Sequence, residues 1–168
     1  GPRVAELIAV AAAAYTHLGE PIYAHHDWGH FIYVFIADGL SLAVAASHDL
    51  PTLAAWWQGA DIELKQRTGR FDSEEDVRLA HAEREKERGL LARALGVSDA
   101  ATADVDEVIR AAHAFLARTP AALAMAQLDD ITRETEPVNV PGTSDEYPNW
   151  RRRYSAGLEA LSTDSLLQ

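Results

Sequence analysis

The sequence predicts a predominantly α-helical domain with a minor α/β component, and three observations predict it. Two capped, amphipathic helical patterns fill residues 73 to 118. Two short apolar runs, "LSLAVAA" and "ALAMA", each close in polar or acidic residues. From residue 40 onward the order reads strand, helix, helix, helix, strand, loop, which suits two neighbouring βα units with an enlarged connection.

Taken in order, Val4 to Leu18 is alanine-rich and is followed by Gly19 and Pro21, a helix and its stop. In "IYAHHDWGHFIYVFIADG" the apolar run from Phe31 to Ala37 suits buried helix or strand equally, so residues 1 to 38 form an unassigned helical N-terminal segment. "LSLAVAASHD", Leu40 to Asp49, reads as a short buried strand. Asp49, ahead of Pro51, is placed to cap a helix that starts near Leu50 and runs through "TLAAWW". Ser73, the acids Glu74, Glu75 and Asp76, later bases and Gly96 delimit a long helix whose charged face is expected to be solvated. Asp104 to Arg118 repeats the pattern, with Val108, Ala112 and Phe115 on one side and Pro120 beyond the end. "ALAMAQLDDI" is the second apolar run.

A chain of 168 residues, 48% hydrophobic, is expected to form one domain spanning residues 1–168. Its net charge of -11 argues against a nucleic-acid or anionic-membrane surface and favours a neutral or cationic partner. The absence of cysteine excludes disulfides and cysteine-ligated zinc. No signal peptide and no apolar stretch of about 20 residues is present, which points to the cytoplasm. Gly1 and Pro2 have the look of residues left by tag cleavage, so the natural chain is expected to begin elsewhere.

Three clusters carry candidate chemistry. His48 and Asp49 lie before a helix, where Asp is commonly only a cap; the functional reading is a carboxylate at a strand's C-terminal end that binds a sugar hydroxyl or stabilises positive charge. "HHDWGH" offers His25, His26, Asp27 and His30, donors enough for a divalent metal, although such clusters often arise in ordinary polar turns. "VNVPGTSDEYPNWRRR" combines a forced turn at Pro141-Gly142 with Asn139, Thr143, Asp145 and Glu146 beside Tyr147 and Trp150. It reads as a surface loop leading to a helix or as a binding loop. The adjacent Trp56 and Trp57 suggest one core residue and one partly exposed residue.

"SLAVAASHDLPTLAAWWQGADI" and "AAHAFLARTPAALAMAQLDDITRETEPVNVPGTSDEYPNWRRR" closely resemble the C-terminal part of bacterial 4-α-glucanotransferases, the amylomaltases, over roughly residues 39–164. The resemblance implies the last two βα units of a (β/α)8 barrel and a retaining transfer of α-1,4-glucan segments that needs no cofactor and no catalytic metal. It implies that Asp49 is the carboxylate stabilising the distorted sugar and that His48, Asn139, Pro141, Gly142, Thr143, Tyr147 and Trp150 contact an α-1,4-glucan oligosaccharide. The family's nucleophile and acid/base motifs, resembling Arg-x-Asp-His and Gly-Glu-Asp-Leu-Gly, are absent, and residues 3 to 38 do not resemble the preceding barrel segment. Retention requires two carboxyls about 5 Å apart, so the chain is expected to be a fragment or a degenerate homologue that does not turn over glucan alone.

Two other readings compete. "HHDWGH" followed by "SHDL" vaguely resembles the HD-type metal-dependent phosphohydrolases, an all-α bundle family, with His26, His30, His48 and Asp49 as ligands and Asp129 or Asp130 as a distal carboxylate. A non-catalytic module would bind glucan or a protein through Trp56, Tyr147 and Trp150. An exposed sheet edge would favour self-association.

Overall fold

The structure, a computed structural model, describes residues 42–97, 99–119, 121–164 and 166–167. The N-terminal helix, the Phe31–Ala37 run and the "HHDWGH" cluster with His26 and His30 lie outside the described residues. Strand β1 (Leu42–Val44) is followed by helices α1 (Leu53–Gln58), α2 (Ala60–Arg67), α3 (Glu74–Leu95) and α4 (Val105–Ala117). Strand β2 (Leu123–Met125), the one-turn helix α5 (Leu128–Ile131) and the short α6 (Leu158–Leu161) complete the chain. The molecule is thus mostly helical with a small two-stranded parallel sheet, registered Leu42 to Leu123, Ala43 to Ala124 and Val44 to Met125. Parallel strands need a long crossover, and α1 to α4 supply it.

α1 is the centre of the packing: Leu53 to Trp57 are all buried. Ala43, Ala45, Leu53, Ile109, Ala112 and Leu116 join β1, α1 and α4 in one cluster. Trp56 and Trp57 join Leu91, Ala92, Val97 and Val108 in a second. Both tryptophans are buried, where one exposed ring was expected, because α1 is covered on both sides by α4 and by α2 with α3.

Asp49 does not cap α1. Thr52 does, accepting from the Ala55 amide at 3.0 Å. Pro51 contributes: the residue before a proline is disfavoured in the α region, so Leu50 does not open the helix. The sequence pattern also missed α2, which Gly59 separates from α1 by turning left-handed at φ 81°. Its signal was legible: Asp61 and Glu63 in the first turn, Lys65 and Arg67 in the last.

α3 begins at its expected cap, Ser73, and ends at Gly96. Its charged face is not wholly solvated. Arg84 and Glu87 are buried with Leu91 on the side facing α1 and α2, since these positions recur at helical spacing. Arg84 makes a two-pronged bond to Asp61 at 2.7 and 2.8 Å, donates to the Trp56 carbonyl and lies 4.5 Å over the Trp56 ring. The fixed guanidinium fork fits a carboxylate in this way.

β2 is short, and all three of its residues are exposed. No regular helix follows Trp150 directly; residues 151–154 are irregular and α6 begins only at Leu158.

Candidate functional site

Both strands deliver their carboxyl ends to one cleft of about 450 Å³, lined among others by Ala46, His48, Thr52, Gln127 and Asp129. The Gln127 side-chain amide donates to the Ala46 carbonyl and pins the two strand ends together. Ser47 to Leu50 form a tight turn, with the Leu50 amide 3.1 Å from the Ser47 carbonyl, and this turn lifts His48 and Asp49 onto the rim.

Asp49 is held from two directions. Its Oδ1 accepts from Asn139 Nδ2 at 2.6 Å, and its Oδ2 lies 3.4 Å from His48 Nε2. His48 in turn stacks obliquely on Trp150, ring centroids 5.3 Å apart. Residues 48, 49, 139 and 150 therefore converge although about 90 positions separate the two segments. The side chains of His48 and Asp49 are 57% and 48% exposed, so both face solvent and can reach a ligand.

The loop from Asn139 to Trp150 is internally bonded. Pro141-Gly142 forms the expected turn, with Gly142 at φ 80° and the Thr143 amide 3.2 Å from the Val140 carbonyl. The Thr143 hydroxyl donates to the Val140 carbonyl, and Asn149 closes the loop by accepting from the Val140 amide and donating to Thr143. Pro141, Gly142 and Thr143 thus shape the loop. Tyr147 turns inward, buried against Leu64 and Val140, with its hydroxyl on the Pro137 carbonyl. Burial and the Glu136 carboxylate push its phenol up to about 12. Trp56 is buried as well, so of the three aromatic residues proposed as stacking platforms only Trp150, 62% exposed, offers its ring.

Trp150 has a left-handed backbone, φ 62°, uncommon for a bulky residue. Its amide donates to the Val138 carbonyl at 2.8 Å and holds that conformation. Arg152 anchors the exit of the loop on Asp129, at the cleft, and on Glu134 at 3.1 Å, while the Ser155 amide and hydroxyl both donate to Glu134. Sequence reasoning passed over Arg152, Glu134 and Gln127. Their only signal was charge or polarity near the loop, which does not identify partners.

Among the described residues no three His, Asp or Glu side chains converge as a metal site. Asp130 is fully buried and binds the Leu53 amide. Nor is any described helix long and apolar enough to cross a membrane.

The 4-alpha-glucanotransferase family, glycoside hydrolase 77, matches residues 22–159. The match begins upstream of residue 39, so part of the N-terminal segment that looked foreign to the family lies within it. Proteins named 4-alpha-glucanotransferase from Mycobacterium bovis and Mycobacterium tuberculosis are 34% identical over 112 residues, 66% of this chain and 16% of theirs. One from Haemophilus influenzae is 25% identical over 75% of this chain and 19% of its own. The crystal structure of amylomaltase from Corynebacterium glutamicum superposes with a TM-score of 0.62 at 25% identity, covering 77% of this chain and 22% of that one. The chain spans about a sixth of the length of its mycobacterial relatives. On the match over residues 22–159, this chain belongs to the 4-α-glucanotransferase family.

Proposed function

We propose that this chain is the sugar-binding end of an amylomaltase barrel, a fragment or degenerate homologue that binds α-1,4-glucans and does not transfer them alone. The observation that carries this reading is the Asn139–Asp49 hydrogen bond at 2.6 Å, which joins the two family motifs at the carboxyl ends of parallel strands. In (β/α)8 barrels that end holds the active site. β1 and β2 would be the barrel's last two strands. Asp49, with Oδ1 fixed by Asn139, accepts sugar hydroxyls and faces the positive charge of a distorted sugar. Trp150 stacks on a ring, and His48 orients both. The strained backbone of Trp150 supports the reading, because such conformations cluster at ligand sites. No cofactor or metal has a role in this chemistry.

The test has two arms. Maltoheptaose titrated into the protein is expected to shift the indole resonance of Trp150 in a saturable way, weakly, and Asp49→Ala to weaken binding about fivefold, equivalent to one hydrogen bond of about 1 kcal/mol. Incubation with maltotriose is expected to yield no glucose and no longer dextrins. An unperturbed Trp150 indole would defeat the binding role, and transfer by the pure chain would defeat the claim of inactivity.

A further inference from the structure

Behind the cleft, one carboxylate ties the start of α1 to the segment that follows β2. Asp130 is fully buried, and its Oδ1 accepts from the Leu53 amide at 2.9 Å. Its Oδ2 lies 3.7 Å from His113 Nε2, on α4, and neither of these buried atoms has a hydrogen-bond partner. The other ring nitrogen, His113 Nδ1, is 2.9 Å from the Ile109 carbonyl. A carbonyl only accepts, so Nδ1 carries the hydrogen and Nε2 of a neutral ring presents a lone pair. Two lone pairs would then face each other across 3.7 Å, an arrangement that costs free energy unless one of the two groups carries a proton.

We propose that Asp130 carries a proton directed at His113 Nε2, and that this pair is a positioning device that holds the N-terminus of α1, and with it Thr52 at the cleft, in a pH-dependent way. Asp130 is the natural carrier: burial pushes its carboxyl up, against the opposing pull of the Leu53 amide. The charged and titratable neighbours are few. α4 contributes His113, α5 contributes Asp129, whose charge pushes in the same direction as burial, and α1 has no titratable side chain. Thr52 adjoins Leu53, lines the cleft and donates to the Glu134 carbonyl, so movement of Asp130 as it loses its proton is passed through the Leu53 amide to both.

The sign follows from linkage. A carboxyl raised in the folded state binds its proton there at a pH where the unfolded chain, at about 3.9, has lost it. The contribution is full below the unfolded value and is lost as pH rises through the folded one. Within that window the folding equilibrium constant falls by up to about tenfold per pH unit for the one proton.

This inference does not depend on glucan binding, and its test leaves glucan out. In Asp130→Asn the side-chain oxygen accepts from Leu53 and the NH2 donates to Nε2 at every pH. Urea unfolding of the intact chain between pH 4 and 9 is expected to show wild type losing stability with rising pH relative to the variant. Parallel profiles would overturn the proposal. Should the variant not fold, His113→Gln, whose amide donates to Oδ2 without that proton, is expected to flatten the profile in the same way, with parallel profiles again overturning it. Nitrogen-15 spectra of wild type are expected to show His113 protonated at Nδ1 with Nε2 accepting a hydrogen bond; a ring protonated at Nε2 alone would refute the arrangement.

Discussion

Tyr147 and Asn139 occupy the same loop and do opposite jobs. The Tyr147 hydroxyl is bonded to the Pro137 carbonyl and lies 3.3 Å from Glu136 Oε2, and its phenol is raised to about 12. A phenol raised above its unfolded value of about 10 contributes stability that is complete below pH 10 and is lost as pH rises through 12. Ultraviolet titration should therefore show Tyr147 ionising about two units above an ordinary phenol, and Tyr147→Phe should remove that late step at a cost of about 1 kcal/mol. Asn139 reaches out to the half-exposed Asp49 and not into the core. Asn139→Ala is expected to change stability by less than about 0.5 kcal/mol while weakening maltodextrin binding severalfold, read by urea unfolding and by Trp150 shifts. Residue types suggested that Asn139 and Asp49 bind; only the fold separates the outward asparagine from the inward tyrosine.

Among the elements, α3 shows how far local pattern reaches. Ser73 and Gly96 mark its ends through contacts within a few residues, so both were legible. The burial of Arg84 was not, because its partners are Asp61 and Trp56 on other helices. Arg84 is also the counter-charge for Glu87, whose carboxyl is raised by burial with Arg84 opposing. Arg84→Met would leave Asp61 without its buried partner and is expected to cost about 3–5 kcal/mol, since an uncompensated buried charge is worse than none. The double variant Arg84→Met with Asp61→Leu should recover much of that loss. Urea midpoints of the two variants check this, and equal destabilisation by both would contradict it.

At the scale of the molecule, two parallel strands of three residues each form the whole described sheet, and β2 leaves Leu123 66% and Met125 46% exposed. A strand with open backbone groups and apolar side chains pairs readily with another. We expect a second copy of the chain to cover β2, seen as concentration-dependent dimerisation in sedimentation velocity and suppressed by Met125→Lys. The sequence by itself determined the family, the caps and stops of α3 and α4, and the polar closure of both apolar runs. Each of these is written in residues adjacent along the chain or in motifs long enough to be specific. Tertiary structure alone decided that Asp49 meets Asn139, that Arg84 is buried and that His113 faces Asp130. That Thr52 and not Asp49 caps α1 is a local matter, since Pro51 disfavours a helical Leu50. The other three join residues from 17 to 90 positions apart, where loop closure leaves no periodicity to read and partners are chosen by packing.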